Sequence, residues 1–599
     1  MQNAEHVLEA MRKLGQAGQP LTRVYRQLFN RNLYLAAYAK LYRNEGALTK
    51  GTDAETIDGM SLERIDRIIE DIRHERFRFA PSRRIWIDKK NGRKRPLGIP
   101  NFRDKLVQEV LRGLLEAYYE PQFSSNSHGF RPERGCHTAL KQIRQEFKAV
   151  TWFIEGDIKG CFDNINHDRL MEILGMKIHD NRLLNLIRNS LQAGVMDGWI
   201  YEHTHSGTPQ GGVLSPLLSN TYLSELDRFI STVLEPNWNK GLTRRRNPHY
   251  RVYEYKVKEA AARKDSVGLK RLLRERRKIP SHDVADPNFR RLHYVRYADD
   301  FLIGFTGTHD EAKHIKTELA KFLETNLQLQ MSEQKTLITH ARTHQATFLG
   351  YAISIHQHDD KMSKREGTNR RRRSINGSIR LGVPHGYVTA KWRKYMQNGK
   401  SVHRAELLNH SVAEIIQQYQ TEYRGVVNYY RYAEDVCRLN SLLWMMEQSL
   451  VKTLASKLKL SVRKVYHQYG TNTRIGDVYY KTLTVKVQTT NGEQSFVWGG
   501  LPLKRLKGEL NIPLEDAIHV YKWSNRSDLL TRILTNTCEV CGAVGQVEAH
   551  HIRKLKDLKK RWEGRPEPPE HVKRMIAFNR KTLIVCPSCH RNIHSYKKS

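Results

Sequence analysis

The sequence predicts a multidomain α+β protein, on the basis of its length, its mixture of helical and strand patterns, and a separate cysteine-rich segment. The chain has 599 residues, and domains of about 100–200 residues correspond to roughly three to five structural units. Helical spacing dominates residues 1–45, whereas residues 84–99 alternate as strand, turn and strand. The chain is 39% hydrophobic, so it contains enough apolar material for several cores.

The N-terminal segment is expected to form a helical extension over residues 1–60. Leu8, Met11 and Leu14 recur at intervals typical of one helix face. Its helical spacing is consistent with a helical pair packed on the next domain, and a second role for this segment depends on the resemblance described below.

Two adjacent carboxylates lie at the tip of a predicted hairpin in the segment Tyr297-Ala-Asp-Asp300, which has apolar residues on both sides. Hard cations such as Mg²⁺ prefer carboxylate oxygens together with substrate phosphate. An ordinary acidic turn is the alternative for an isolated pair. A second segment favours the metal site, because Asp157 ends another apolar run before a turn into a helix. Three carboxylates around two metal ions, roughly 3.5–4 Å apart, form a clamp for in-line nucleotidyl transfer.

Three further sequence motifs accompany these aspartates in the chain. They are Arg95-Pro-Leu-Gly-Ile-Pro100, Asn126-Ser-His-Gly-Phe-Arg-Pro-Glu-Arg-Gly-Cys136 and Gly207-Thr-Pro-Gln-Gly-Gly-Val-Leu-Ser-Pro-Leu-Leu-Ser-Asn220. In this order, the motifs resemble those of reverse transcriptases, and more narrowly of the proteins encoded within group II introns. The resemblance implies a right-hand polymerase whose fingers and palm contain an antiparallel sheet and whose thumb is helical. It also implies two Mg²⁺ ions held by Asp157, Ile158, Asp299 and Asp300, and an N-terminal extension that grips template RNA.

The same resemblance suggests how deoxynucleotides are bound. Lys89 and Arg95, on the predicted hairpin with an Asn91-Gly92 turn, correspond to triphosphate contacts, although ordinary surface charge is the alternative. Four other residues are assigned by motif position. Gln210 and Gly211 would contact template and nucleotide, and Phe162 would block a 2′-hydroxyl or pack beneath the sugar. Lys335 would protonate departing pyrophosphate or stabilise its charge, with a structural ion pair as the alternative.

The charge of the chain points to a polyanionic partner. Lys and Arg number 101 against 63 Asp and Glu, for a net charge of +38. A ribosomal or membrane-surface protein would share this bias, but the chain lacks an apolar run of about 20 residues and a signal peptide. We therefore expect a cytoplasmic protein without a membrane partner. The family implies a nucleoid-associated ribonucleoprotein, bacterial or organellar.

Two later segments suggest RNA contacts. Residues 240–246 and 270–278 are strongly basic, and they favour intron RNA or template backbone over a simply solvated helix face. Tyr423-Arg-Gly-Val-Val-Asn-Tyr-Tyr-Arg-Tyr432 resembles the thumb, or maturase, region of the family, which implies assistance to splicing. Its helical spacing places Tyr423, Val426, Val427 and Tyr430 on one inward face, with core packing and base stacking both open for the tyrosines.

Two Cys-x-x-Cys pairs identify a C-terminal module. Their spacing predicts a structural zinc site formed by Cys538, Cys541, Cys586 and Cys589. Without a secretory signal, disulfides are not expected.

Histidines lie inside this cysteine frame, in Glu548-Ala-His-His-Ile552 and Cys589-His-Arg-Asn-Ile-His594. The arrangement resembles an HNH endonuclease, a small ββα-metal unit that holds one divalent cation and cuts DNA. The resemblance makes His551 the general base, and it makes His550, His590 and His594 the metal ligands. The family asparagine corresponds to Lys581 here, so Asn579 is assigned in its place.

The expected protein is a group II intron-encoded reverse transcriptase, maturase and HNH endonuclease. The resemblance implies intron RNA, target double-stranded DNA and deoxynucleotides as partners, and retrohoming by target-primed reverse transcription. A splicing-only maturase and a retron or defence reverse transcriptase are the alternatives. The expected domains after the extension are fingers and palm at 61–360, thumb at 361–480, a DNA-binding region at 481–535 and the HNH domain at 536–599.

Overall fold

The fold was determined from a computed structural model, which describes residues 3–44, 46–88, 92, 94–198, 200–202, 204, 206–208, 211–283, 285–358, 362–364, 371–373, 376–489, 492–505, 528–562 and 568–595. The protein is a multidomain α+β protein, and its described residues form two large hydrophobic cores and one small one. Among the described helices, none has the length and apolar character required to cross a membrane.

The N-terminal helices pack closely on the following segment. Helix Ala4–Gln16 crosses helix Phe102–Tyr119 so tightly that a Cβ on Gly15 would lie 2.0 Å from the carbonyl oxygen of Tyr118. Leu8 and Met11 are buried there, and Leu14 is partly buried. Core packing is therefore observed for this segment. The other elements of this region are the 3-10 helix Val24–Phe29 and the helices Arg31–Leu41 and Leu62–Arg73.

The predicted hairpin near residue 90 is confirmed. Strands Ser82–Asp88 and Lys94–Ile99 pair in antiparallel register, with Asp88 opposite Lys94. They form a four-stranded sheet with the short strands Val195–Asp197 and Ile200–Glu202. Lys89 and Asn91 lie outside the described residues.

A second four-stranded sheet carries the aspartates. Its order is Arg291–Tyr297, Asp300–Thr306, Trp152–Asp157 and Leu337–His340, with every neighbouring pair antiparallel. Apolar side chains of the sheet share the large N-terminal core with nearby helices. These helices include Ser215–Phe229 and His309–Leu327.

The basic insertion forms a helical pair, Pro248–Ala262 and Ser266–Lys278. Its side chains are largely exposed, and Ala260 is the buried residue of the first helix. A cation–π contact of Arg276 in the second helix with Tyr250 in the first joins the pair, and Arg246, just before the first helix, contacts the same ring. The insertion therefore presents a basic surface outside the cores.

The second core contains the segment that resembles a thumb. Helices Val412–Tyr429, Asn440–Leu458 and Val462–Tyr469 pack with a sheet formed by Gly470–Ile475, Val478–Thr489 and Gly492–Gly499. The rings of Tyr419 and Tyr423 lie against the fully buried Trp498. Tyr423, Val427 and Tyr430 are buried and Val426 is partly buried against the same core, so the predicted inward face is confirmed and these two tyrosines are core residues.

The C-terminal module has the expected two antiparallel strands followed by a helix, although two other helices separate the strands in the chain. Strands Glu548–His551 and Thr582–Val585 are antiparallel, and helix Pro587–Ser595 follows the second strand. Ala549 and Ile584 join the large N-terminal core, so the module is docked on the rest of the chain. Its other helices are Asp528–Leu534, Leu555–Trp562 and Glu570–Ala577.

Shorter elements connect these parts. The α-helices are Cys136–Glu146, Cys161–Asn164, His167–Gly175, Asn181–Gln192, Glu235–Trp238 and Tyr387–Trp392, with a π-helix at Ile230–Leu234 and 3-10 helices at Glu120–Gln122, Ala405–Leu407 and Val436–Leu439. The strands are Ala346–Phe348, Tyr351–Ile355, Met362–Lys364, Arg371–Arg373, Ile379–Gly382, Met396–Gln397 and Lys400–Ser401.

Candidate catalytic and metal centres

Three aspartates meet at one end of the central sheet. Asp157 is the last residue of its strand and lies directly opposite Asp300, the first residue of the next. Asp299 occupies the hairpin turn, where Ala298 has a left-handed backbone with φ 56°. The structure therefore brings together carboxylates that are more than 140 residues apart in the chain.

Crowding of negative charge is the main electrostatic property of this site. Burial, followed by the charges of Asp299 and Asp157, raises the pKa of Asp300 to about 7. Burial also raises the pKa of Asp299, an effect that Arg95 and Lys335 oppose. A divalent cation would relieve this repulsion and supply the missing positive charge, so the donor set fits Mg²⁺.

A buried ion pair supports the turn that carries Asp299. Arg296 is fully buried, and its guanidinium donates to both carboxylate oxygens of Asp227 at 2.6 and 2.8 Å. It also donates to the carbonyl oxygen of Ala298 at 2.9 Å. Sequence reasoning missed this pair, because Asp227 lies 69 residues before Arg296 and no motif marks it.

The other motifs converge behind the same turn. The amide of His128 donates to the carbonyl of Arg296 at 2.9 Å, and the Asn220 side chain donates to the carbonyl of Gly129 at 2.8 Å. A Cβ on Gly129 would lie 2.4 Å from the amide nitrogen of Ala298. Glycine is therefore required there for close packing.

The predicted substrate residues occupy different settings. Lys335 places its Nζ 2.8 Å from Oδ2 of Asp157, whereas Arg95 is exposed on the hairpin strand. Phe162 contacts Phe130 edge to face, with centroids 6.1 Å apart. Gly211 has φ +108°, and a Cβ there would lie 2.5 Å from the carbonyl oxygen of Gly98. Gln210, like Lys89, lies outside the described residues.

The four cysteines form one cluster in the C-terminal module. Their sulfur atoms all lie within 4.8 Å of one another, and Cys541 and Cys586 are 3.8 Å apart. That spacing matches the edge of a tetrahedron with Zn–S bonds of about 2.3 Å. The amides of Cys541 and Cys589 point at the sulfurs of Cys538 and Cys586, at 3.5 Å each. The donor set therefore fits zinc.

The histidines form a second cluster that includes an unexpected carboxylate. His550, His590 and His594 come together as predicted, and Asp58 lies among them. The Asp58 carboxylate is 2.9 Å from Nε2 of His594, 3.3 Å from Nδ1 of His550 and 3.4 Å from Nε2 of His590. Burial would raise the pKa of Asp58, but hydrogen bonds from His550 and His590 lower it below its usual range. No sequence signal pointed to Asp58.

His551 faces away from this cluster and contacts the N-terminal region. Its side chain is buried, and its Nε2 is 2.7 Å from the hydroxyl of Tyr38. Burial lowers its pKa to about 4, with the charges of His550 and His590 acting in the same direction against Asp58. The ring is therefore neutral near pH 7, which is the form that accepts a proton.

Asn579 has a local backbone role. It is exposed and has φ 51°, just beyond the end of helix Glu570–Ala577, a position where asparagine is tolerated in a left-handed turn. Lys581, at the family position, accepts a hydrogen bond from the amide of Ile552 and precedes Thr582, which pairs with His551. The assignment of Asn579 to catalysis stays a prediction.

Three segments of the chain match known protein families. Residues 87–353 match the family described as reverse transcriptase (RNA-dependent DNA polymerase). Residues 383–498 match the type II intron maturase family, and residues 538–590 match the AI2M/AI1M-like HNH endonuclease family.

Similar full-length proteins are known. The group II intron-encoded protein LtrA of Lactococcus lactis subsp. cremoris is 37% identical over 623 aligned positions, which cover 99% of both chains. The uncharacterized 91 kDa protein in the cob intron of Schizosaccharomyces pombe is 37% identical, covering 95% of this chain and 69% of its own. The putative COX1/OXI3 intron 1 protein of Saccharomyces cerevisiae is 32% identical, with 95% and 68% coverage. The chain therefore belongs to the group II intron-encoded proteins, with reverse transcriptase, maturase and HNH endonuclease domains.

Proposed function

We propose that the protein copies its intron RNA into DNA at the three aspartates, within a right-hand arrangement of fingers, palm and thumb. The observation that carries this proposal is the register that places Asp157 opposite Asp300, beside Asp299 in the adjoining turn. Together these carboxylates would hold two Mg²⁺ ions, which supply charge stabilisation for in-line transfer. Ile158, whose buried side chain has no donor atom, would contribute its main-chain carbonyl.

The residues around the aspartates would position the incoming deoxynucleotide. Lys335, beside Asp157, is within reach of departing pyrophosphate. Arg95 and Lys89 would neutralise the triphosphate from the hairpin, and Gln210 and Gly211 would contact template and nucleotide. Phe162 would exclude a 2′-hydroxyl. These roles follow from motif position and from the electrostatic influence of Arg95 on Asp299.

The C-terminal module would cut DNA. His551 would take the proton from attacking water, while a divalent cation on His550, His590 and His594 would stabilise the negative charge that develops on phosphate. Zinc on the four cysteines would be structural, since all four positions of a tetrahedral site are filled by protein. Asn579 would assist orientation of His551.

In the cell these activities would act in sequence on a ribonucleoprotein. The protein would bind its intron RNA through the basic insertion and the thumb surface, and it would assist splicing. Insertion of the RNA into one strand of double-stranded DNA, nicking of the other strand by the HNH domain, and extension of that nick would complete retrohoming. The region 481–535 would contribute DNA contacts.

Primer extension tests the polymerase assignment. Asp299→Ala combined with Asp300→Ala should abolish cDNA synthesis on an annealed RNA template while leaving RNA affinity nearly unchanged. Asp310→Ala is a suitable control, because this carboxylate is exposed on helix His309–Leu327 away from the sheet end. Substantial extension by the double variant would contradict the proposal.

A further inference from the structure

Asp58 belongs to the N-terminal region, yet it lies at the centre of the HNH histidine cluster. It is 492 residues before His550 in the chain. One carboxylate oxygen and one nitrogen from each of His550, His590 and His594 all lie within 4.8 Å of one another. Three imidazole nitrogens and one carboxylate oxygen form a complete ligand set for a divalent transition metal.

The surroundings of the cluster resemble those of a metal site more than those of a simple ion pair. Glu548 lies 2.6 Å from Nδ1 of His590, which leaves the Nε2 atom of His590 directed toward Asp58. Carboxylates that bond the outer nitrogen of a ligating histidine fix its tautomer and ring orientation in this way. Asp58 itself is held by the main-chain amide of His551, which donates to Oδ1 at 2.7 Å.

Main-chain hydrogen bonds also join the segment around Asp58 to strand Glu548–His551 of the HNH domain. The amide of Gly59 donates to the carbonyl of Ala549 at 3.0 Å, and the amide of Ala549 donates to the carbonyl of Met60 at 2.9 Å. Met60 thus forms an antiparallel bridge with Ala549. These hydrogen bonds therefore fix the position of Asp58 against the HNH domain.

This contact between the N-terminal region and the HNH domain fills the fourth position of the proposed metal site and covers the proposed base. A catalytic metal site of this kind keeps one position open for water or substrate, whereas Asp58 supplies a fourth protein ligand. His551 is 5% exposed, and the Tyr38 hydroxyl lies 2.7 Å from its Nε2. A phosphodiester has no access to a base that is covered in this way.

We propose that Asp58 is a metal ligand supplied by the N-terminal region, and that Asp58 and Tyr38 hold the HNH domain closed until it separates from that region. The inference rests on the proposed nuclease role of His551. The metal-ligand role of Asp58, here called the ligand part, and the closed state of the HNH domain, the closure part, are tested by separate measurements. Separation of strand Glu548–His551 from residues 58–60 would free one coordination position of the metal and expose His551. DNA cutting would therefore be restricted to the open form.

Metal affinity tests the ligand part. Full-length, zinc-loaded protein carrying Asp299→Ala and Asp300→Ala would be titrated with Mn²⁺, with free Mn²⁺ followed by electron paramagnetic resonance. Asp58→Asn should weaken binding at least tenfold, since even loss of an outer partner of a ligand costs about 10–100-fold. Glu55→Gln is the matched control, because Glu55 lies in the same loop but pairs with Arg64. Unchanged affinity in Asp58→Asn would overturn the ligand assignment.

Nicking tests the closure part, in the chain with intact aspartates and at saturating Mn²⁺. Asp58→Asn and Tyr38→Phe should each nick duplex DNA several-fold faster than the unchanged protein, and both should speed hydrogen exchange at the Ala549 amide. Tyr38→Phe should leave Mn²⁺ affinity unchanged. Slower nicking by both variants would overturn closure and place these residues in the working site. If none of the variants nicks DNA and His551→Ala behaves like them, the proposed nuclease function is wrong. Mn²⁺ affinity would still determine whether Asp58 is a metal ligand.

Discussion

Arg296 and Asp227 form a fully buried ion pair behind the acidic hairpin, with Nη2 and Oδ2 2.6 Å apart. The pair links helix Ser215–Phe229 to strand Arg291–Tyr297. The Tyr294 hydroxyl adds a hydrogen bond to Asp227 at 2.8 Å. Because Arg296 also donates to the carbonyl of Ala298, the geometry of the turn that holds Asp299 depends on residues buried behind it.

Removing the charge of Asp227 should destabilise this region strongly. Asp227→Asn leaves the Arg296 guanidinium buried without a counter-charge, and breaking such a pair costs about 3–5 kcal/mol. The thermal midpoint should fall and primer extension should fall with it. Glu225→Gln, which alters an ion pair with the exposed Arg228, should change both far less. An unaltered midpoint for Asp227→Asn would contradict the structural role.

Lys335 should contribute to the rate of synthesis. Lys335→Ala removes a cation that lies beside Asp157 and is largely exposed, so folding should be preserved. Loss of a general acid typically costs about 10²–10⁴-fold, and single-turnover extension would measure it. Lys313→Ala is a control on an exposed helix face. A lowered thermal midpoint with an unchanged rate would assign Lys335 to a structural ion pair instead.

The cysteine cluster should be required for folding of the C-terminal module. Cys538→Ser removes one ligand, and structural zinc supplies much of the folding free energy of small domains. Zinc content should fall by about one ion per chain, and amide exchange should rise across Thr582–Val585 but not across the central sheet. Cys437→Ser, at an exposed cysteine of the second core region, should change neither. A folded, zinc-free module would contradict this role.

Asp104 should make stability depend on pH. Burial raises the pKa of Asp104 to about 7, against a hydrogen bond from the amide of Ala80. Because its pKa is raised in the folded state, its stabilising contribution is complete below about pH 4 and is lost as pH rises through about 7. Asp104→Asn should therefore have a smaller fall in thermal midpoint between about pH 5 and 8 than the unchanged protein. Equal falls would contradict the shift, and the exposed Asp168→Asn is the control.

Local patterns predicted the elements that carry chemistry. Alternating apolar residues around Asp157 and Asp300 predicted the strands, and Cys-x-x-Cys spacing predicted the cysteine cluster that the structure contains. The inward face of helix Val412–Tyr429 followed from its period. These features depend on neighbours within a few residues, so one sequence was sufficient to identify them.

The features that sequence reasoning missed all depend on distant contacts. Asp58 and Tyr38 contact histidines of the HNH domain that lie roughly 500 residues later in the chain. Asp227 likewise contacts Arg296 from another element. A single aspartate in a loop or helix has no local signature for such a partner. Their roles follow only from how the cores bring the N-terminal region, the central sheet and the C-terminal module together.

Separate loss of the two activities tests the central claim, that one chain contains two independent catalytic centres. His551→Ala should reduce second-strand nicking by about 10²–10⁴-fold, as loss of a general base does. Extension of an annealed primer should remain intact because the proposed polymerase site at Asp157, Asp299 and Asp300 is distant from His551. Intron splicing should remain because the proposed RNA contacts are on the basic insertion and the thumb surface. Nicking, extension and splicing would be measured on one preparation of the variant. Selective loss of nicking is the predicted result, and equal loss of all three activities would contradict the account.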